Sequence, residues 1–447
     1  MELDLLQIAR DLVGANTVSS RGTADAVAVL QPLYEKLGWT VRVLEGPEST
    51  PSARQLNLLA RAPGSASGEG FLAVTHLDTV DPGPRELWKS DPFVLTGEGE
   101  RIVGLGSADV KIDAACKLLA FARLKDAAFA RPLAFLGTYM EEVGCKGARN
   151  FATLQRDAFP ARYVACGEPS ELRIIDAHKG YVVVRVRITD RQPKPLAGPF
   201  RSVHVLGKAA HSSTPHLGEN AILKAWPELR GVGAIDAGSV ANKVPAELRA
   251  HVADPNGSVK LDGAFDLDPA LQVAHNACFA WTSAIKKTSP GPNARFNPAD
   301  AVCNWGVLES QGANVEAIFD ARLVPGQSPQ AVFGYFEPWI QKHVDPRFDV
   351  TVQIERSNEA MQLQRPSALL DAAQAASKAL GLDPEPQAKP TNTEAGVFAS
   401  AGYESIVFGP GVSTGNAHCA NEVQLVSQCR TAIDFYEALA RKLCVKA

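Results

Sequence analysis

The stretch Phe71-Leu-Ala-Val-Thr-His-Leu-Asp-Thr-Val80 lies at the centre of the pattern from which the fold is predicted. It opens with apolar and β-branched residues, which favour a buried β-strand. It then presents His76 and Asp78 one residue apart, and a strand points two such residues to the same side. An imidazole beside a carboxylate suits a metal ligand whose orientation a neighbour controls. A single His-x-Asp is, however, explained equally well by a buried structural histidine.

The composition is that of an ordinary globular protein. The chain has 447 residues, 45% of them hydrophobic and 21% charged, which is enough for two domains. A net charge of −4 without a basic run argues against a nucleic-acid partner. Eight cysteines without a C-x-x-C pair argue against a zinc knuckle or a disulfide framework. Without a signal-peptide pattern or a long apolar run, we expect a cytoplasmic protein with no membrane partner.

Helical and strand-like segments alternate on both sides of residues 71–80. Further strands are predicted at residues 40–44, 56–62, 133–139, 163–166 and 405–408, and helices at 113–125, 147–154, 366–380 and 421–443. This alternation predicts an α/β fold whose sheet is mostly parallel and has helices on both faces. In such sheets the functional residues collect at the carboxyl ends of the strands.

The sequence pattern changes from about Lys179. Long alternating strands are predicted at 181–189, 244–252, 313–324 and 348–355, with helices around 268–287 and 330–344. Such strands are typical of an antiparallel sheet with one exposed face. We therefore predict that residues 180–358 form an α+β domain inserted into a first domain of residues 1–179 and 359–447.

Four more polar motifs follow predicted strand ends or precede helices. They are Gly104-Leu-Gly-Ser-Ala-Asp-Val-Lys111, Tyr139-Met-Glu-Glu-Val-Gly144, Cys166-Gly-Glu-Pro169 and Phe408-Gly-Pro-Gly…Ala417-His-Cys-Ala-Asn-Glu422. Adjacent acids such as Glu141 and Glu142 repel each other unless a positive partner, most effectively a divalent metal, lies near them. Each motif alone is explained by a solvated acid, a helix cap or a turn. Their ordered recurrence favours a site for zinc, or for cobalt or manganese.

With these motifs the sequence resembles the dinuclear zinc amidohydrolases that include acetylornithine deacetylase, succinyl-diaminopimelate desuccinylase, aminoacylase and carboxypeptidase G. The family motifs H-x-D-T-V, G-x-G-x-x-D-x-K, E-E-x-G-x-x-G-A, G-E-P and G-P-G…A-H…N-E stand at residues 76–80, 104–111, 141–148, 167–169 and 409–422. A lid motif follows at 207–215 and 218–222. The resemblance covers nearly the whole chain, with the motifs in the family's order.

The resemblance implies a site with two zinc ions, with cobalt or manganese as alternatives. The implied assignments are His76 and Glu168 to one metal, Glu142 and His418 to the other, Asp109 to both as a bridge, Asp78 to the orientation of His76, and Glu141 to the general base. By the same resemblance, the peptide bond between Asp109 and Val110 is expected to be cis.

The resemblance also implies a catalytic domain, formed by residues 1–179 and 359–447, and a lid and dimerisation domain, residues 180–358. His211 matches the lid histidine that reaches the partner subunit's active site in dimeric relatives, and Asn242 matches a lid asparagine that helps to bind substrate. Thr393 and Glu394 match substrate-pocket positions. A homodimer that forms through the lid is therefore expected.

The implied reaction is hydrolysis of the amide bond of an N-acyl amino acid by a metal-bridged hydroxide, with Glu141 as the base. A dipeptidase or carboxypeptidase of the same family remains open, and a catalytically silent binding protein is the alternative from another class. Succinyl-diaminopimelate enzymes have the motif S-D-A-R at this point of the chain. The Thr-Glu-Ala at 393–395 is closer to the pattern of acetylornithine deacetylases. Departures from the family are Val110-Lys-Ile-Asp113, where relatives have M-K-G-G, and lid insertions at 190–202 and 254–300.

Overall fold

The computed structural model describes residues 3–64 and 67–446. The chain divides into two compact units. The first unit comprises Met1–His178, Met361–Ala388 and Thr393–Ala447, and the second comprises Lys179–Ala360 and Lys389–Asn392. The second unit therefore contains one long continuous segment and one short segment that directly precedes Thr393.

The helices and strands are numbered in chain order. The helices are α1 Leu5–Gly14, α2 Ala24–Lys36, α3 Lys111–Ala122, α4 Lys146–Leu154, α5 Ala221–Ala225, α6 Asp268–Thr288, α7 Pro329–His343, α8 Ala368–Ala379, α9 Ala395–Ser400 and α10 Val426–Cys444. The strands are β1 Thr40–Glu45, β2 Leu56–Arg61, β3 Gly70–His76, β4 Thr96–Glu98, β5 Arg101–Val103, β6 Leu133–Thr138, β7 Ala161–Cys166, β8 Ile175–His178, β9 Gly180–Asp190, β10 Phe200–Leu206, β11 Val232–Ala237, β12 Glu247–Ala253, β13 Val302–Gln311, β14 Asn314–Leu323, β15 Phe348–Asn358, β16 Met361–Gln362, β17 Gln387–Lys389, β18 Glu404–Val407 and β19 Val423–Leu425.

The main sheet of the first unit is parallel at its centre and antiparallel at its edges. Its order is β1-β2-β6-β3-β7-β18-β8-β16. The strands β6, β3, β7 and β18 are parallel to their neighbours in this central group, whereas the outer pairs are antiparallel. The predicted α/β class is confirmed, and the antiparallel edges make the sheet a mixed one.

Helices cover both faces of this sheet because its central strands are apolar on both sides. Every residue of β3 is buried. Phe71 and Ala73 point into a core shared with α1, α2, α3, α8 and α10. Leu72 and Val74 point into a second core, shared with α4 and α9. The carboxyl ends of β3, β6, β7 and β18 are aligned by the strand register, so the polar motifs that follow them begin at one edge of the sheet.

The second unit is built on an antiparallel sheet of order β10-β12-β11-β13-β14-β9-β15. The helices α6 and α7 share a core with one face of this sheet. Along β12 buried and more exposed residues alternate, as expected for a sheet with one solvated face. The predicted antiparallel character of this region is thus confirmed.

Four strands of the second unit differ from the prediction, since β12 begins later than expected and β10, β11 and β13 are absent from the predicted strands. The strand expected at 244–252 begins only at Glu247, because Val244 and Pro245 form backbone hydrogen bonds with Ala210 and Ala221 outside the sheet. The strand β10 lies partly in the stretch 190–202 that was assigned to an insertion, and it pairs with β12 along its whole length. Its apolar pattern is weak because it is largely exposed.

In the described part of the chain, 3–64 and 67–446, no helix has the length and apolar character needed to cross a membrane.

Candidate metal centre

Five side chains from the five polar motifs meet at the carboxyl edge of the parallel strands of the first unit. The carboxylate of Asp109 lies between two imidazoles, with Oδ1 3.2 Å from His76 Nε2 and Oδ2 3.3 Å from His418 Nε2. Glu142 Oε2 lies 3.1 Å from His418 Nε2, and Glu168 Oε1 lies 4.0 Å from His76 Nε2. We call these five side chains, which are a candidate site for metal ions, the metal centre. They form two groups, one around each histidine, that share Asp109.

The electrostatics of the metal centre fit divalent cations. Burial and the charge of Asp109 raise the pKa of Glu142 to about 7. Hydrogen bonds to Asp109 and Glu142 raise the pKa of His418 to about 11. Burial alone would lower the pKa of His76, but its hydrogen bond to Asp109 and the charge of Glu141 raise it. In this arrangement protonated imidazoles balance clustered carboxylates, and a metal ion would replace those protons. Imidazoles with carboxylates are also a ligand set that zinc accepts.

His76 is oriented through the backbone of Asp78. The strand β3 ends at His76, so residue 78 lies beyond the strand and the same-side argument does not apply to it. His76 Nδ1 lies 3.0 Å from the Asp78 carbonyl oxygen and 3.7 Å from the Asp78 carboxylate. Because a carbonyl only accepts hydrogen bonds, Nδ1 carries a hydrogen and Nε2 faces the carboxylates.

The carboxylate of Asp78 instead holds the paired acids. It accepts hydrogen bonds from the backbone amides of Glu141 at 3.0 Å and Glu142 at 3.4 Å, and from Ser19 Oγ at 2.6 Å. These bonds fix the turn after β6 from which both glutamates project. Two adjacent residues thereby reach different neighbours, since Glu142 pairs with His418 and Glu141 lies near His76.

Glu141 is buried and has a thiol neighbour. The residue is 6% exposed, and Cys145 Sγ donates a hydrogen bond to Oε1 at 3.2 Å. Its carboxylate offers an oxygen within 4.8 Å of ligand atoms of His76 and Glu168. Glu141 therefore lies against the half of the metal centre that is formed by His76 and Glu168.

Glu422 supports the metal centre. It lies at the end of the motif 409–422, but no role is predicted for it from the sequence. The pairing of β19 with β5 brings Glu422 beside the turn at 104–111. Its carboxylate accepts hydrogen bonds from the amides of Gly106 at 3.0 Å, Ala108 at 2.6 Å and Asp109 at 2.8 Å. Burial, with the charge of Asp109, raises the pKa of Glu422 to about 7. The peptide bond between Asp109 and Val110 is cis, which confirms that expectation.

The predicted substrate residues Thr393 and Glu394 are fully buried in the first unit. Thr138 Oγ1 donates a hydrogen bond to Glu394 at 2.8 Å, and Thr393 Oγ1 lies 3.2 Å from His178 Nε2. Burial raises the pKa of Glu394 to about 7, opposed by the charge of His76. Glu394 thus lies near His76 in the interior of the first unit, whereas Thr393 packs against His178.

The second unit brings His211 and Asn242 into neighbouring segments. His211 pairs with Lys243 in an isolated β-bridge, and the amide of Ser212 donates to the carbonyl of Asn242 at 3.0 Å. The amide of Ser213 donates to His211 Nδ1 at 3.1 Å, so Nε2 carries the hydrogen of the neutral ring. Burial and the charge of Arg322 lower the pKa of His211 to about 4. His211 is therefore a neutral hydrogen-bond donor at pH 7.

The segment that carries Asn242 is held by a buried asparagine. Asn304 Nδ2 lies 3.1 Å from the carbonyl oxygens of both Ala241 and Lys243, which flank Asn242. Asn220, the N-cap of α5, donates in turn to Asn304 Oδ1 at 3.2 Å. This clamp fixes the backbone on both sides of Asn242.

The sequence profile of peptidase family M20/M25/M40 matches residues 72–442, and the chain belongs to this family. Acetylornithine deacetylase of Vibrio atlanticus (strain LGP32) is 31% identical over 367 residues, which cover 74% of this chain and 89% of that protein. The enzyme of the same name from Aliivibrio salmonicida (strain LFI1238) is 34% identical over 219 residues, which cover 48% of this chain and 51% of that protein. In several such matches the chain spans about half the length of the curated relative.

Solved structures of peptidases share the fold. Aminoacylhistidine dipeptidase from Vibrio alginolyticus superposes with a TM-score of 0.68 at 17% identity, covering 99% of this chain and 97% of that chain. An M20 family metallo-carboxypeptidase from Sulfolobus solfataricus superposes with a TM-score of 0.64 at 20% identity, covering 99% of both chains. At these identities the likeness concerns the fold.

Proposed function

We propose that this protein hydrolyses the amide bond of N-acyl amino acids at a centre of two divalent metal ions. The proposed ligands are His76, Asp109, Glu142, Glu168 and His418. The observation that carries the proposal is the position of Asp109, whose two carboxylate oxygens each face a different histidine. The 31% identity to an acetylornithine deacetylase over 89% of that protein supports a deacylase. The first unit is then the catalytic domain and the second the lid.

Zinc is the proposed metal, with cobalt or manganese as alternatives. When bound, two such ions supply a Lewis acid for the scissile carbonyl and lower the pKa of a water molecule. His76 and Glu168 would hold one ion, His418 and Glu142 the other, and Asp109 would contact both. Glu422 and Asp78 keep these side chains in place through the backbone amides that they accept.

Glu141 is proposed as the general base. Cys145 donates a hydrogen bond to Oε1, and we assign to Oε2 the uptake of the proton from the attacking water. The same oxygen then delivers the proton to the leaving amine nitrogen, which must be protonated before the C–N bond breaks. Its burial keeps bulk water from competing for that proton.

His211 is proposed to donate its Nε2 hydrogen to the oxyanion of the tetrahedral intermediate, and Asn242 to help bind the substrate. The lowered pKa of His211 keeps the ring neutral, with Nε2–H as its donor. Loss of a comparable donor costs about 2.7–4 kcal/mol in the transition state. By resemblance to dimeric relatives, His211 acts in the partner subunit's site, and the protein is a homodimer that forms through the lid.

A turnover screen tests the proposed function. The metal-free protein is loaded separately with Zn²⁺, Co²⁺ or Mn²⁺ and assayed against N-acetyl amino acids, including N-acetylornithine, and against dipeptides and longer peptides. We expect kcat/KM to be highest for an N-acyl amino acid and to fall to background in the chelated protein. A preference for dipeptides or for C-terminal residues of peptides would assign a peptidase instead. Binding of all three classes without turnover would identify a catalytically silent protein.

A further inference from the structure

A fully buried ion pair lies behind one half of the metal centre. Asp113 and Lys117 stand one turn apart on α3, with Asp113 Oδ2 2.7 Å from Lys117 Nζ and both side chains 0% exposed. Asp113 occupies a position of the Val110-Lys-Ile-Asp113 stretch where the family that the sequence resembles usually has glycine. A glycine offers no carboxylate, so the usual family motif does not supply this pair.

The pair is bonded to the end of β3. Thr75 Oγ1 donates to Asp113 Oδ2 at 2.6 Å, and Lys117 Nζ donates to Thr75 Oγ1 at 2.8 Å and to the carbonyl oxygen of Val74. Thr75 directly precedes His76, the first ligand of the metal centre. The backbone from which His76 projects is therefore anchored to α3 by both members of the pair.

The same pair is packed against the end of β7. The amide of Gly167 donates to the carbonyl of Val74 at 2.7 Å, so that this oxygen is shared with Lys117. A Cβ atom on Gly167 would lie 1.9 Å from Asp113 Oδ2 and 2.7 Å from Lys117 Nζ. Gly167 directly precedes Glu168, the ligand that accompanies His76. Both ligands of one proposed metal position thus follow a residue that touches the pair.

A third element closes the network. Tyr436 of α10 has its hydroxyl within hydrogen-bonding distance of Asp113 Oδ1 and 2.7 Å from the carbonyl oxygen of Phe408. Its ring also lies 4.9 Å from Lys117 Nζ. The two charges consequently have hydrogen-bond partners on β3 and α10 and lie against Gly167 after β7. A buried ion pair is tolerated when its polar atoms have such partners.

Stability alone does not account for such a pair. Desolvation of two charges largely cancels their attraction, and apolar replacements of both partners are often neutral. We infer that Asp113 and Lys117 are a positioning pair that sets the ends of β3 and β7 and thereby the affinity of the metal position formed by His76 and Glu168. This inference rests on the proposed two-metal function. The pair is thereby assigned to the metal position of His76 and Glu168 and not to that of Glu142 and His418.

The test measures Co²⁺ and Zn²⁺ binding to chelator-treated full-length protein by calorimetry and by the Co²⁺ absorption spectrum. His418→Ala removes a ligand of one metal position and keeps intact the position of His76 and Glu168. Glu168→Gln does the reverse and keeps intact the position of Glu142 and His418. Adding Lys117→Met should weaken metal binding about 10–100-fold in the His418→Ala protein and less than about threefold in the Glu168→Gln protein. The Co²⁺ spectrum should change only in the former.

Two further proteins separate positioning from loss of stability. Asp113→Leu combined with Lys117→Met removes both charges, so no unpaired charge prevents folding, and it should reproduce the selective loss. Leu118→Ala, at the buried neighbour of Lys117 on α3, should lower the melting temperature without selectivity between the two positions. Equal weakening of both positions, or unchanged affinity at both, would overturn the inference. Wild-type protein that binds fewer than two metal ions would overturn the proposed function and the inference with it.

Discussion

At the scale of single residues, the proposed chemistry depends on which neighbour each carboxylate oxygen faces, as Asp109 and the two acids that follow β6 illustrate. Asp109 divides its two oxygens between two histidines, whereas the adjacent Glu142 and Glu141 are proposed to act as ligand and base respectively. The carboxylate of Asp78 accepts the backbone amides of both Glu141 and Glu142 and so holds the turn from which the two side chains project. Substitutions that change one atom are therefore the most informative.

Glu141→Gln should retain both metal ions and lose about 10²–10⁴-fold in kcat, because an amide cannot accept the proton of the attacking water. The kcat of the zinc-loaded variant and its metal content by elemental analysis are the measurements. Glu142→Gln is the matched control, since it changes a ligand and should lose metal. Full activity of Glu141→Gln, or loss of its metal, would assign the base to another group.

Glu422→Gln should weaken metal binding about 10–100-fold, a size typical for a group that orients a metal ligand. One carboxylate oxygen accepts the amides of Ala108 and Asp109, and the other accepts the amide of Gly106. A glutamine places its NH₂ group against at least one of these backbone N–H donors. The two donors cannot bond to each other, so the turn that carries Asp109 is disturbed. Metal affinity by calorimetry is the measurement. An unchanged affinity would mean that the turn holds its shape without Glu422.

At the scale of elements, the strand ends of the second unit are joined by an ion pair with a defined pH dependence. Asp190 ends β9, and Arg347, which precedes β15, donates from Nε to its Oδ1 at 2.8 Å. This hydrogen bond lowers the pKa of Asp190. A carboxyl group whose pKa is lower in the folded state stabilises that state above its unfolded pKa, about 3.9, and loses this effect as the pH falls.

Arg347→Met should therefore lower the urea unfolding midpoint at pH 7, and the deficit should shrink as the pH falls below about 4. Unfolding curves of wild type and variant between pH 3 and 7 are the measurement. Arg191→Met is the control, because Arg191 and Asp349 form a pair at 3.6 Å in which both side chains are 60% exposed. A deficit of the same size at pH 3 and pH 7 would assign the effect to lost packing of Arg347.

At the scale of the whole molecule, the proposed dimer makes one active site depend on two chains. His211→Ala should reduce kcat about 10²–10³-fold, as for the loss of an oxyanion donor, with metal content unchanged. Mixing this variant with Glu141→Gln should restore activity. In an equimolar mixture with random exchange, half of the dimers are hybrids and each has one complete site, so about a quarter of all sites regain both residues.

Sedimentation analysis of the wild type and of a labelled mixture must accompany that experiment, because rescue requires dimers that exchange subunits. A monomeric active enzyme, or no rescue in a mixture with proven exchange, would exclude action in the partner's site. In that case a strong effect of His211→Ala alone would place His211 in the site of its own chain.

Local sequence was sufficient for those features that depend on neighbouring residues. The apolar run 71–75 predicts a strand buried on both faces, and the turn-rich motifs after each strand predict where polar side chains gather. Strand ends shifted by a few residues, as in β12, where backbone bonds to distant segments ended the pairing. The strand β10 escaped prediction because an exposed edge strand lacks a strong apolar pattern.

The sequence by itself determined the alternation of apolar strands and helices, the residue types of the metal centre and the order in which they occur. Only the tertiary structure decided which atoms meet. Ser19 reaches Asp78 across 59 positions, Thr75 reaches Asp113 across 38, and Tyr436 reaches Asp113 across 323. Buried polar groups need hydrogen-bond partners. The hydrophobic periodicity of the sequence is local, however, and does not indicate a partner so far away in the chain. Asp113 and Lys117 have the i,i+4 spacing of an ordinary helix pair, and only the tertiary structure buries them and supplies their partners.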